Sequence, residues 1–301
     1  MIRDGSHDRG QNAIWLSHGW LGGDDWFEKY DKQNELTKYR NDASISQLLD
    51  KLRQHGITDL FPHVSPANEK GILPPIDRKQ TKRFLELAQE FRVMPWIGGP
   101  WGSGVRPWDD RWRTNFIHQI TNLLNAHPGF AGVHLNIEPV PSGDTNLISL
   151  TRQLKAALPK DKRLSFAAYP PPTYWHQFPD VHWEQEYFEK IASHCDQVAV
   201  MMYDTGLKNP KLYRKLMSDW AVESIVWAGT TKVLLGIPTY ADRNVEYHFP
   251  EIENITNALQ GIHAGLTRIK SPDNYQGIAI YANWVTDSDE WSHLRTHFLM
   301  P

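Results

Sequence analysis

The chain of 301 residues contains one cysteine, Cys195. A single thiol excludes an internal disulfide and any thiolate metal cluster, and Cys195, just ahead of an expected strand, reads as an inert buried or half-buried group. Net charge is scarce as well: 32 basic against 35 acidic residues leave −3, with a pI of about 6.5. That balance removes the electrostatic case for nucleic acid or an anionic membrane as a partner. No apolar run approaches the ~20 residues that cross a bilayer. Residues 1–10 are polar and lack the apolar stretch of a signal peptide. The expectation is a soluble monomer, secreted or periplasmic if a leader has been removed and cytoplasmic otherwise. There is no low-complexity tract, no linker and no H-x-H pair. Gly19, Gly22 and Gly23 do not form the G-x-G-x-x-G phosphate loop that an open nucleotide-binding sheet places after its first strand.

Aromatic residues, by contrast, are plentiful: 13 Trp, 11 Tyr and 11 Phe. Many serve packing, but flat aromatic faces also suit sugar rings. The stretch that organises the chain is residues 130–139, FAGVHLNIEP. Read with period two, Val133, Leu135 and Ile137 form one face, while His134, Asn136 and Glu138 form the other. Helical patterns flank it on both sides, which predicts a parallel strand covered on both faces. Three polar groups in such an interior are costly unless they are paired or used.

Strand and helix patterns alternate along the whole chain. Strands are expected at 12–16, 57–61, 93–97, 131–138, 164–168, 197–203, 232–240 and 277–281. A long loop is expected over 24–42. The first helix is read from a Ser44 cap with Ile45, Leu48, Leu49 and Leu52 on its inner stripe. The second carries Phe84, Leu87, Ala88 and Phe91, and the third starts near Asp109. Later helices follow 144, run over 183–192, carry Leu212, Leu216 and Trp220, span about 251–270, and close the chain around Trp291 to Phe298. Gly98-Gly99 reads as a tight turn. Eight such alternations predict an α/β fold, a single (β/α)8 TIM barrel over 1–301, with residues 1–11 as a flexible tail.

Several of these strand ends resemble the motifs of glycoside hydrolase family 18, the chitinase-type family. Residues 131–138, AGVHLNIE, are similar to its D-G-x-D-x-D-x-E signature, matching at Gly132 and Glu138 but not at Ala131, His134 and Asn136. Met201-Met-Tyr203-Asp204 matches its M-x-Y-D motif in full, and 232–240 carries its Gly-x-Pro followed by an aromatic. The third strand reads Trp96-Ile-Gly-Gly99 where the family has S-x-G-G. The family's frequent α+β insertion after strand seven is expected to be absent, which leaves a shallower, more open groove.

The resemblance implies a substrate-assisted, retaining glycosidase acting on a glycan that contains N-acetylglucosamine, with an oligo- or polysaccharide as its partner and no cofactor or metal. Glu138 would be the acid/base, its pKa raised by desolvation. Tyr203 would donate to the acetamido carbonyl and Asp204 would help hold the reactive sugar. Asn136 stands where the family has the aspartate that orients the acetamide. The endo-β-N-acetylglucosaminidases of family 85 use a similar Asn-x-Glu pair for that step. His134 is expected to pack or hydrogen-bond beneath Asn136. The strand ends otherwise offer Trp20, His63, Trp101, Tyr169, Tyr240, Tyr281 and Trp284 as substrate-binding groups, with His18 beside them. The alternative is a chitinase-like carbohydrate-binding protein with impaired catalysis. A metal site built on His18, His63 and His134 is disfavoured, since lone histidines are usually satisfied structural groups.

Overall fold

The computed structural model describes residues 7–178, 180–242, 246–270 and 272–300. Their strands form one curled parallel sheet that closes as a (β/α)8 barrel. Strand β1 (Asn12–Leu16) pairs with β2 (Ile57–Pro62) on one side and with β9 (Tyr275–Tyr281) on the other. The third barrel strand comes in two pieces, β3 (Arg92–Val93) against β2 and β4 (Trp96–Pro100) against β5 (Gly132–Glu138). Between the pieces stands Pro95, which has no N–H to give to a ladder. A bridge between His63 and Trp96 joins the seam. The ring continues through β6 (Arg163–Ala168), β7 (Gln197–Met201) and β8 (Lys232–Pro238) back to β9.

Helices cover the outside. The stretch expected as a loop at 24–42 holds the short helices α1 (Asp24–Lys29) and α2 (Leu36–Tyr39). Helix α3 (Asp42–Gln54) is capped by Asn41, whose side chain accepts from the Ala43 N–H, and not by Ser44. Its stripe of Ile45, Leu48, Leu49 and Leu52 is buried as expected. Helix α4 (Arg78–Leu87) buries Phe84, but Leu87 lies 36% exposed at its last turn. Helix α5 (Asp110–Ala126) begins at its Asp109 cap, and α6 (Thr145–Ala157) and α7 (Gln185–Ala192) follow. Helix α8 (Pro210–Trp227) packs closely on α9 (Ile255–Ile269), where a Cβ on Gly261 would meet the Arg214 carbonyl oxygen at 2.5 Å. Helix α10 (Ser288–His297) ends the barrel.

The alternation of each strand divides the core in two. One large cluster lies between strands and helices, and a smaller one around Trp15, Phe61, Met94 and Leu234 fills the barrel interior. A polar layer crosses that interior: Gln197 donates to Asp59 at 3.0 Å and to Gln276 at 2.7 Å, and Asp59 pairs with Arg92. Gly98 and Gly99 are part of β4 and not a turn. Gly98 has φ 142°, and a Cβ there would sit 1.8 Å from the Asn136 carbonyl oxygen. Only glycine lets β4 pass this close to the strand bearing the central polar residues. At the N-terminus, residues 1–6 of the expected tail lie outside the described residues. His7 and Asp8 are buried: Asp8 accepts from the Asn12 side chain at 3.2 Å and from the Met300 N–H at 3.1 Å, which ties the two chain ends together.

Candidate active site

Strand β5 carries Val133, Leu135 and Ile137 outward into the helix layer and His134, Asn136 and Glu138 inward. His134 sits deepest and is fully enclosed. It lies flat against Phe61 at 3.8 Å and accepts from the Trp15 indole N–H at 3.1 Å. Its Nδ1 therefore carries the proton and donates to Ser165 Oγ at 2.9 Å, and Ser165 donates to Gln197 at 2.7 Å. Burial lowers its pKa to about 3, so it is a neutral spacer. It packs beneath Asn136 but hydrogen-bonds elsewhere.

Asn136 is 6% exposed and donates through Nδ2 to Glu138 Oε1 at 3.1 Å. Its own carbonyl oxygen is buried without a hydrogen-bond partner. Glu138, at the strand's C-terminal end, also accepts from the Tyr169 hydroxyl at 3.3 Å. Burial raises the Glu138 pKa above the usual carboxylate value. The hydrogen bonds from Asn136 and Tyr169 pull it down, and the nearby charge of Asp204 pushes it up. The carboxyl is thus biased toward its protonated, proton-donating form.

Two cavities meet at Glu138. The first, about 510 Å³, is bounded by Tyr169, Tyr203 and Asp204 together with Pro139, Phe178 and Tyr247. The second, about 720 Å³, is bounded by His63, Asn136 and Trp96 together with His18, Trp26 and Asn68. Tyr281 is the hub of an aromatic wall between the strand ends: it stacks on Tyr203 at 5.4 Å and meets Tyr240, Trp284 and Trp96 edge-on. Trp284 is 44% exposed at the outer end of that wall.

The site residues expected from sequence separate into three groups. Glu138, Asn136, Tyr203, Asp204, His63 and Tyr169 line the cavities directly. Tyr240 backs Asp204 through a hydrogen bond from its hydroxyl, and Tyr281 and Trp284 form the wall. Trp20 and Trp101 wall neither cavity. Trp20 is 3% exposed and packs edge-on against Tyr39 and beside Phe84, because the chain after β1 turns outward under α4. Trp101 turns past the end of β4 and pairs with Trp108 at 5.2 Å. His18 and His63 do meet, with ring centres 3.8 Å apart. Burial, reinforced by Lys32, lowers the His18 pKa to about 4, and burial, reinforced by His18, lowers that of His63 well below 6.5. Both are neutral polar groups facing the second cavity.

The structure adds residues that pattern reading passed over. Phe178 and His176 come from the irregular segment after β6, where His176 reaches the Thr205 carbonyl oxygen at 2.8 Å. Tyr247, His248 and Glu253 come from the segment between β8 and α9. Among the described residues, Asp204, His248 and Glu253 are the group whose metal-ligating atoms come together, within 4.8 Å of one another. Exhaustive chelation is expected to leave both Tm and turnover unchanged, and a loss restored by zinc would contradict that.

The arrangement is a carboxyl biased toward protonation, flanked by an amide with a spare acceptor and by aromatic walls on both sides. The chain itself matches the family model for glycosyl hydrolases family 18 over residues 27–290. The chain belongs to that family. No curated protein matches it in sequence. Among solved structures it is similar to the spore cortex-lytic enzyme SleL of Bacillus cereus, with 12% identity, a TM-score of 0.65, and coverage of 96% of this chain and 75% of that one. A chitinase from Chromobacterium violaceum shares 13% identity with a TM-score of 0.65 over 95% of this chain and 98% of its own. A fungal endo-β-N-acetylglucosaminidase of family 18 shares 14% with a TM-score of 0.58 over 95% and 96%. These likenesses establish the barrel fold, and family membership makes the chain a glycosidase that hydrolyses O-glycosyl bonds.

Proposed function

We propose that this family 18 chain cleaves a glycan containing N-acetylglucosamine by substrate-assisted, retaining hydrolysis. The observation that carries the reading is the placement of Glu138, whose carboxyl faces sugar-sized spaces on both sides. A glycosidic oxygen lying over that junction receives its proton from Glu138. The 2-acetamido oxygen of the sugar then attacks the anomeric carbon, so a second carboxylate nucleophile is not required. The Asn136 side chain, whose oxygen is buried without a partner, turns toward the sugar so that this oxygen accepts the acetamide N–H and directs the acetamide toward attack. Tyr203 donates to the acetamido carbonyl, and Asp204 holds the same sugar. Water then opens the cyclic intermediate with Glu138, now ionised, as the base.

The testing experiment is incubation with chitin oligomers, peptidoglycan fragments and N-glycan cores, read by mass spectrometry in ¹⁸O-labelled water. Expected is a product with the label at a new reducing N-acetylglucosamine end and retained configuration. Binding without cleavage across the panel would favour the impaired, carbohydrate-binding alternative, to which Asn136 and His134 in place of the family's aspartates give some support.

Binding has its own expected result. Titration with a cleavage-resistant oligosaccharide should quench tryptophan fluorescence. Trp284→Ala should weaken affinity by about two- to tenfold, in line with the loss of one aromatic contact of about 0.5–1.5 kcal/mol. Unchanged affinity would remove Trp284 from the sugar site.

A further inference from the structure

His248 and Glu253 belong to none of the family motifs, yet they stand directly behind Asp204. His248 is 2% exposed and lies flat on Tyr240 with ring centres 4.0 Å apart. Its Nε2 is 2.9 Å from the Tyr240 carbonyl oxygen. A carbonyl only accepts, so Nε2 carries a proton. The other nitrogen, Nδ1, is buried 3.3 Å from Asp204 Oδ1 and 3.8 Å from Glu253 Oε2. With a single proton on the ring, a lone pair would face two carboxylates inside the protein. A second proton turns both contacts into attractions.

Glu253 is itself fixed: 1% exposed, it accepts the Thr205 N–H with both oxygens, at 3.2 and 3.0 Å. Thr205 is the residue after Asp204. Asp204 takes the left-handed backbone conformation, φ 59°, rare for a residue with a side chain, and it also accepts from the Tyr240 hydroxyl. Backbone, Tyr240, His248 and Glu253 thus converge on the placement of one carboxylate.

We propose that His248, backed by Glu253, is the positioning residue for Asp204: as an imidazolium between the two carboxylates, it holds Asp204 where that residue meets the sugar. This rests on the substrate-assisted reading above for what Asp204 does there. The groups facing His248 are Asp204 beyond β7, Tyr240 beyond β8 and Glu253 ahead of α9. Tyr213 on α8 faces the two carboxylates. Burial works against the charge on His248, but Asp204, the Tyr240 carbonyl and Glu253 outweigh it and raise the pKa above 6.5. Burial of Glu253 pushes that carboxyl's pKa up too, but the Thr205 N–H bonded to both of its oxygens and the neighbouring His248 favour its ionised form and leave the proton on His248. A raised folded-state pKa gives stability that is full below about 6.5, the unfolded value, and is lost as pH rises through the folded value.

The test has two arms. The first is ¹⁵N NMR of the histidine side chains in the full chain without glycan, with His248 assigned by its absence from His248→Gln. Two protonated ring nitrogens at pH 7 are expected, and an unprotonated Nδ1 would overturn the proposal. The second arm uses whichever glycan fragment the wild type cleaves. His248→Gln should lower kcat by about tenfold or more while KM stays within about threefold, the mark of misplaced geometry. Wild-type kcat in folded His248→Gln would overturn the proposal. If that variant does not fold, His248→Gln/Glu253→Gln removes the extra buried carboxylate and is read in the same way. A rise in Tm with added Zn²⁺ or Mn²⁺ in the wild type, absent from His248→Gln, would also overturn it by placing a metal where the proton is proposed. If the wild type cleaves no glycan in the panel, the substrate-assisted reading fails, and the NMR arm still decides the charge on His248.

Discussion

Glu138→Gln is expected to abolish turnover while leaving the barrel folded and sugar binding intact. The amide keeps the size of the carboxyl and can still hydrogen-bond with Asn136 and Tyr169, but it has no proton acidic enough to give to a leaving oxygen. General acid–base help is worth about a hundred- to ten-thousand-fold, and Glu138 serves both steps, so the loss belongs at the upper end of that range. Stability should move the opposite way. Because burial raises the Glu138 pKa in the folded chain, its ionisation destabilises the folded chain as pH rises through that value. At pH 7 the glutamine variant should therefore melt at the same or a higher temperature than the wild type, and at pH 4 the difference should shrink. A variant with wild-type turnover would remove Glu138 from the acid role. One that is inactive and also melts well below the wild type at pH 7 would mean that the carboxylate is needed for folding.

How far this site could be read from the chain depended on what each residue stood in. Asn136 and Glu138 sit on a strand whose period-two pattern is strong, so their common face followed from alternation alone, whereas Tyr203 and Asp204 are neighbours just past an almost wholly apolar strand and were legible only through the M-x-Y-D motif. The barrel followed from the same repeated pattern, although Pro95 splits a strand that the pattern reads as continuous. Trp20 shows the limit of reading by strand end: Gly19 and Gly22 on either side of it take positive φ and let the chain turn outward, and the indole went into the core with Tyr39. Gly98 and Gly99 were ambiguous because a glycine pair permits a turn and a close strand crossing equally well. Only the approach to the Asn136 carbonyl decides between them. His248 and Glu253 lie in a segment with no periodicity, where sequence spacing says nothing of proximity. Their one available signal was chemical: two titratable groups five residues apart in the stretch between a barrel strand and the next helix.

Asn136→Asp separates a site adapted to an amide from one that has decayed from a chitinase. In the present geometry the Asn136 amide N–H points at Glu138 Oε1 from 3.1 Å. An aspartate there would bring two carboxyl oxygens to hydrogen-bond distance, and the pair could hold only one proton comfortably. In an ordinary family 18 site a further aspartate beneath can share that proton. Here the position is His134, which is neutral, fully buried, and committed at both nitrogens to Trp15 and Ser165. A shared proton would therefore stay between the introduced carboxylate and Glu138, which raises the apparent pKa of the pair and weakens Glu138 as the acid of the first step. Rates at pH 7 should fall by about tenfold or more, with the pH optimum of kcat moved upward, and wild-type affinity should remain for oligosaccharides that do not depend on the acetamide contact. The measurement is a pair of pH–rate profiles on one cleavable oligosaccharide. A tenfold rise in the Asn136→Asp rate would instead mark Asn136 as the lesion in a degenerate chitinase, and the amide would lose its assigned part in orienting the substrate.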